Sequence, residues 1–520
     1  MDCIKIPFSK TGTFSKTFLD YINGEHTLKS FYHRTPAIES FEEQITEKQA
    51  YFTTEKRHKL ADTLLEQYAH LSEVPSTQIE RLRDEKTFTV TTGHQLNIFS
   101  GPLYFIYKVA STIQLAEQLK RVYPEYHFVP VYWMATEDHD FEEISFFNAF
   151  GRKYQWNKAK VSGAVGRLSP TGLQDILDQI QDMPSFFKEA YTTQENLTDA
   201  TRYFVHQLFG EYGLLCVDGD SRALKQEIVP LIEKDVLEHI PYAHIQQTDQ
   251  QLEEAGYGTQ IYSRSINFFY LDGSVRERIE EVEGQFQVLN TDLSFSKEEM
   301  QFLIEQHPER FSPNVALRPV YQEAILPNLS YAGGPAEVVY WLQLKASFAA
   351  LEVPFPILLP RGFALLLEEK HFDKLKYYGF EVEDLFRSEV ALKKLFTEKH
   401  AAHDYTLEEE FEVLEKLYEQ VLQKTLPIDQ GLEKHVKAEL KRAQDRLKHT
   451  AYKLEKSERR NLSEGLERVL AIKEEAFPGG VPQERKTNMM HYFVKYPNMI
   501  YNLLELFKEP LEFVFYIGKL

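Results

Sequence analysis

The chain has 520 residues, 43% hydrophobic and 27% charged, with 59 lysines and arginines against 79 aspartates and glutamates, a net charge of −20. That length predicts two or three structural units, and the mix excludes a disordered chain. A broad acidic surface repels phosphate backbones, which argues against a nucleic-acid partner, and no run of about 18 apolar residues marks a membrane span. Two cysteines, Cys3 and Cys216, make no disulfide framework and cannot build a zinc site alone. The opening MDCIKIPFSK has no long apolar region, so no secretory leader is read there and the cytoplasm is the expected location. Cys3 is expected in a mobile terminus.

Residues 26–85, rich in Glu, Gln, Lys and Leu with few breakers before Pro75, read as helical. The texture then changes. Residues 87–92 (TFTVTT) are β-branched and aromatic, as a strand should be, and Gly93 ends them. Residues 103–120 space their apolar positions as a buried helix, introduced by Gly101-Pro102. Residues 127–135 (HFVPVYWMA) are nearly all apolar, as expected of a parallel strand covered on both faces. This β-α-β spacing is the unit of a doubly wound sheet. Residues 150–200 read as an irregular excursion. A strand at 213–218, holding Cys216 as an inert core thiol, and a helix at 222–237 rejoin the pattern. Residues 266–271 and 286–289 predict a β-rich insert, and 354–359 another strand. In the last third, 407–422 is helical. Residues 432–476 form a longer helix with apolar positions Leu432, Val436, Leu440, Ala443, Leu447 and Leu454 at three-or-four spacing, the pattern of a helical hairpin or coiled coil with Pro427 in its turn.

Three segments offer chemistry. The first is Gly93-His-Gln-Leu-Asn97 with Ser100-Gly101 and Tyr104, between the first strand and its helix. Ligands bind beyond the carboxyl ends of parallel strands, and free amides at a helix start can hold a phosphate or carboxylate. The plainer reading is an ordinary strand-helix turn, because no established phosphate-loop pattern is present. The second is Glu137-Asp-His-Asp140, which follows the apolar strand carrying Trp133 and would gather at the same sheet edge. Such a group can serve as general base, amine-binding carboxylate or metal ligands; a solvated acidic turn is the alternative, and no metal-ligand spacing accompanies it. The third is Arg318, suited to clamp a carboxylate, with Gly334 and Glu337 close behind as carbonyl cradle and amine acceptor. Its plain reading is a structural loop, with Tyr340 and Trp341 in the core. No GxSxG elbow supports a serine triad, and nothing selects a carboxylate pair for glycoside hydrolysis.

Thr92-Gly-His-Gln95, Ser100-Gly-Pro-Leu-Tyr104 with Lys108, Trp133 with Glu137-Asp-His-Asp140, His307-Pro-Glu-Arg-Phe-Ser312, Asn314, Arg318-Pro319, Gly334-Pro-Ala-Glu337, Pro360-Arg361 and Pro478-Gly-Gly-Val-Pro-Gln-Glu-Arg485 occur in one order along nearly the whole chain. That ordered set resembles the cysteine-adding enzyme family of bacillithiol biosynthesis. The resemblance implies an α/β fold: a Rossmann-like parallel-sheet core with inserted connecting segments and a C-terminal α-helical coiled coil that makes homodimers. The divisions it implies are a core at 1–390 with inserts near 150–205 and 240–310, a coiled-coil hairpin at 391–477, and a segment at 478–520 returning to the core. It implies a ligase condensing cysteine with glucosaminyl-malate. His94, Asp138, His139 and Asp140 are then the catalytic candidates. Gly93, Gln95, Asn97, Ser100, Gly101, Tyr104, Trp133, Glu137, Arg318, Gly334 and Glu337 would bind substrate. ATP is a candidate cofactor, with no site assigned to it, since a synthetase-like Lys-Met-Ser-Lys-Ser loop does not occur in this sequence. The alternatives are another amino-acid ligase or nucleotidyltransferase on the same core, or a non-catalytic coiled-coil assembly protein.

Overall fold

Strands β1 (Thr87–His94) and β2 (His127–Met134) carry the β-branched and aromatic residues that fit a covered pleated surface. In the computed structural model, which describes residues 2–158 and 161–520, they join β3 (Leu215–Asp218), β4 (Asn328–Gly333) and β5 (Ile357–Pro360) in one sheet. The order is β5-β4-β1-β2-β3, and every neighbouring pair is parallel. The chain steps outward from β1 to β3, then returns to the far side of β1 for β4. That reversal is the switch point of a doubly wound sheet, where a crevice opens beyond the strands' carboxyl ends.

Helix α1 (Leu103–Val122) connects β1 to β2 and buries most of its length. On one side of the sheet, Phe88 and Val90 of β1 pack with Leu115 and Leu119 of α1, Leu329 of β4 and Ile357 and Leu359 of β5. Each such side chain, fully buried, contributes about 1.5–3 kcal/mol relative to exposure. Thr89 and Thr91 donate to the Asn328 side-chain oxygen Oδ1 at 3.2 and 2.8 Å, so their buried hydroxyls are satisfied.

The β-rich insert forms a five-stranded antiparallel sheet between β3 and β4, in the order Ser294–Phe295, Gln285–Val288, Val275–Val282, Phe268–Asp272, Phe311–Pro313. The stretch at 150–200, expected to be irregular, holds helix Ser185–Thr193 and the start of Leu197–Phe209; its Ala159 and Lys160 lie outside the described residues. Those helices close a ring cluster in which Phe187 and Tyr191 meet Phe99 at 5.2 and 4.8 Å, a contact distant in sequence. The expected helical run at 26–85 is broken into separate helices, Ser40–Tyr51, Thr54–Tyr68 and Ser76–Arg81. Cys3 is not in a loose terminus: Cys3–Pro7 pairs antiparallel with Val514–Lys519, a partner no local pattern reveals. Cys216 is buried in β3, and that burial pushes its thiol up to about 12.

Contacts divide the chain into two units: residues up to Leu365 together with Gln483–Leu520, and Leu366–Pro482. The second unit thus begins earlier than the expected 391. Helices Glu369–Tyr377 and Glu389–His400 pack against Ser463–Ala476, burying Leu392, Phe396, Val469 and Ile472, and so belong with the helices. Within that unit, Glu408–Thr425 and Glu433–Asn461 form the expected hairpin, with Pro427 in the connection. The long helix is interrupted at Leu462, whose φ of −97° and ψ of 8° leave the helical region. Among the described residues no helix is long and apolar enough to cross a membrane.

Candidate active site

The two turns named from sequence open side by side. Gly93 and His94 are in register with Trp133 and Met134, and the Ala135 amide donates to the His94 carbonyl at 3.0 Å. Beyond them, at the β1–β4 switch point, lies a cavity of about 230 Å³. Its lining includes His94, Gln95, Lys108, Arg318, Tyr331 and Glu337. A Cβ at Gly93 would stand 3.1 Å from the Tyr331 hydroxyl, a tight contact that glycine avoids.

His94 is half-buried, its ring stacked on Phe105 at 5.0 Å with Tyr104 edge-on at 5.1 Å. Burial, reinforced by the Lys108 and Arg361 charges, holds its imidazole well below the usual range, so it is neutral at pH 7. Its Nε2 is buried without a hydrogen-bond partner among the described residues. An unsatisfied buried ring nitrogen in a cavity wall is a vacancy for a ligand hydrogen bond.

The acidic turn divides by role. Glu137 is buried and ion-paired with Lys225; burial pushes its carboxyl up against the pull of that lysine. Asp138 receives Arg318 Nη2 at 2.9 Å, with Arg276 Nη2 at 3.7 Å and the Gln95 amide at 3.4 Å. Burial raises its carboxyl, but the two arginines outweigh it and hold the group below its ordinary value, hence ionised. His139 and Asp140 are exposed. Arg276 Nη1 donates to His139 Nδ1 at 2.6 Å, and an arginine can only donate. With Nδ1 accepting, a single ring proton sits on Nε2.

The glycine-rich loop does not offer the open amides expected of it. The Leu103 amide donates to the Thr487 carbonyl at 2.9 Å and the Gly101 amide to Ile98 at 3.0 Å. Asn97 donates to the Glu143 carbonyl at 3.0 Å, and Ser100 is buried. Phe99, Ser100 and Gly101 all have positive φ, and Asn488 clamps the turn by donating to the Phe99 and Gly101 carbonyls at 2.7 and 2.6 Å. Asn97, Ser100 and Gly101 therefore shape the loop without lining the cavity, and these amides do not fit a triphosphate cradle. The Gly334 amide donates to Glu337 Oε2 at 2.7 Å and is likewise occupied. Tyr104 packs beside His94 and under Arg361, whose guanidinium is 5.6 Å from its ring.

Glu337 does receive an amine, but an internal one: Lys108 Nζ, at 2.6 Å. Tyr331 donates to its other oxygen at 2.7 Å. Lys108 could have been found in the sequence as a lone cation on the apolar face of α1. Arg276, Lys225 and the buried Arg361–Glu484 pair carry no local signal, because their partners lie far along the chain. Tyr340 and Trp341, read as core, also line the cavity; Trp341 is buried and stacks on Tyr331 at 4.5 Å.

A doubly wound parallel sheet with a partly enclosed cavity at its switch point is a Rossmann-like architecture, and the cavity lies where such sheets bind ligands. The chain belongs to the BshC family of bacillithiol biosynthesis: residues 1–362 match its N-terminal Rossmann-like domain and residues 364–520 its C-terminal coiled-coil domain. Among its relatives, proteins named "Putative cysteine ligase BshC" from Flavobacterium johnsoniae and Flavobacterium psychrophilum are 41% and 40% identical. The first match covers 99% of each chain, the second 100% of this chain and 99% of the relative. One of the same name from Christiangramia forsetii is 39% identical over 98% of this chain and 97% of its own.

Proposed function

We propose that this protein is a cytoplasmic ligase that joins L-cysteine, through an amide bond, to the amine of glucosaminyl-malate to give bacillithiol. The observation that carries the reading is the charged cavity at the β1–β4 switch point of a chain matched end to end by relatives named as cysteine ligases. Cysteine enters this cavity with its ammonium toward Asp138, whose long contact with Gln95 a substrate cation replaces. His94, neutral and with no hydrogen-bond partner at Nε2 among the described residues, takes the proton from the attacking sugar amine. The Nε2–H of His139 is left as a donor at the mouth. Arg318 uses its remaining N–H groups to hold the acceptor's malate carboxylates. A free carboxylate must be activated before it forms an amide, and ATP is the usual means; the loop after β1 does not supply its site.

The test is to mix the protein, cysteine and glucosaminyl-malate with and without ATP and to detect the thiol product by mass spectrometry. Product is expected, and Asp138→Asn lowers its rate by at least about a hundredfold, the usual scale for losing one preorganised charge. No product under either condition, or unchanged turnover in Asp138→Asn, overturns the reading or the role.

In the helical unit, Val413, Leu417 and Leu454 are 65%, 53% and 40% exposed along the hairpin. This stripe is proposed to be covered by a second copy, giving a homodimer. Sedimentation velocity should find twice the chain mass, and a double Val413→Glu, Leu417→Glu variant should sediment as one chain.

A further inference from the structure

Lys108 is a buried charge in α1, whose other charged residues, Glu117, Lys120 and Arg121, are exposed, and the proposed mechanism leaves it without a task. Its side chain is 4% exposed, yet it lines the cavity. An ammonium has three N–H donors. One goes to Glu337 Oε2 at 2.6 Å and one to the Gly93 carbonyl at 2.7 Å. Glu337 is itself held by the Tyr331 hydroxyl and the Gly334 amide, so the lysine is anchored on a fixed carboxylate. The third donor is left for a ligand in the space that Lys108 lines. Burying a charge is costly unless it is paired and hydrogen-bonded. Lys48, fully buried on Glu323 alone, also has two protein partners, and what sets Lys108 apart is that it lines the cavity. Beside it, His94 Nε2 is a second unpartnered polar atom in the same wall.

We infer that Lys108 is the group that binds the carboxylate of the amino-acid substrate, the same carboxyl that, once activated, acylates the acceptor amine. This rests on the ligase reading and deepens it. The cavity, at about 230 Å³, lies below the usual range for ligand pockets of about 300–1,000 Å³ and suits an amino acid rather than a sugar conjugate. The amino acid then spans two charged groups of opposite sign: its ammonium on Asp138 and its carboxylate on Lys108. Arg318, engaged with Asp138, is left to the acceptor. A fixed cation at this oxygen also lies where negative charge grows during attack on the carboxyl carbon.

The test uses binding, so that it does not depend on turnover. Cysteine and cysteamine, which lacks the carboxylate, are titrated calorimetrically into the wild-type chain, into Lys108→Met, and into the double variant Lys108→Met with Glu337→Gln. The double variant leaves no orphaned charge and guards against misfolding, which a thermal melt checks. Wild type should bind cysteine more tightly than cysteamine. The double variant should lose about 10- to 100-fold in cysteine affinity and leave cysteamine affinity unchanged, so that the two ligands become equivalent. Equal cysteine affinity in wild type and the folded double variant overturns the assignment, as does a wild type that fails to distinguish the two ligands. Cysteine bound through Lys108 with no product formed in the ligase assay removes the ligase reading alone.

Discussion

The two units differ in what they bury. The Rossmann-like unit holds ion pairs sealed from solvent beside others at its surface: Arg361 and Glu484 are 4% and 3% exposed and joined by two hydrogen bonds of 2.6 and 3.1 Å. In the helical unit, ion pairs are solvated, as between Lys441 and Asp445 at 64% and 58% exposure, while large apolar side chains stand in solvent. Helix Glu408–Thr425 buries none of its residues. One unit is complete in itself around a cavity; the other presents a seam. Site chemistry belongs where the dielectric is low and geometry fixed, and association belongs where apolar surface is left uncovered.

The contrast can be broken or sharpened by removing one partner from a pair in each unit. Arg361→Met leaves Glu484 buried without its cation and should cost about 3–5 kcal/mol. All three tryptophans, Trp133, Trp156 and Trp341, lie in the first unit, so urea unfolding followed by tryptophan fluorescence reads that unit. A loss under about 1 kcal/mol would mean the pair is no better insulated than a surface one.

His94 gives an effect of intermediate size. Its native imidazole resists protonation, while in the unfolded chain it titrates near about 6.5. Below that pH the unfolded state binds a proton that the native state refuses, so this contribution falls as pH falls and is fully present above about 7. Between pH 7 and 5 wild type should lose more stability than His94→Gln, by up to about 2 kcal/mol, the limit set by the unfolded-state titration. Parallel stability–pH curves for the two proteins would show that the ring is not held neutral. The smallest effect belongs to the helical unit. Arg442→Met removes the exposed partner of Glu439 and should change stability by less than about 0.5 kcal/mol, read by circular dichroism at 222 nm.

Strand identity, the β-α-β rhythm and the helical hairpin were legible because each is a local pattern: a covered strand is a short apolar run, and a packed helix repeats at three or four residues. The adjacency of the His94 and Asp138 turns followed from the same rhythm, since consecutive parallel strands place their carboxyl ends together. What the local pattern could not carry was the pairing. The acidic run Glu137–Asp140 reads as four like groups, yet the fold gives Glu137 to Lys225, Asp138 to Arg318 and Arg276, and leaves Asp140 exposed. Likewise the loop at Gly93–Gly101 looks like an anion cradle until Thr487 and Asn488 are seen to occupy or pin it.

By itself, then, the order of residues determined β1, β2, β3 and β5, the helix connecting the first two, the apolar seam of the hairpin and the edge at which chemistry gathers; β4, Asn328–Gly333, was not read from the sequence and came only with the fold. Only the tertiary structure decided which charges are free, which tautomer His139 presents and that Lys108 keeps a donor for a ligand. Periodicity is written within a few turns of chain. The partner of a buried charge is chosen by whatever the fold brings within about 3 Å, and that partner can lie hundreds of residues away.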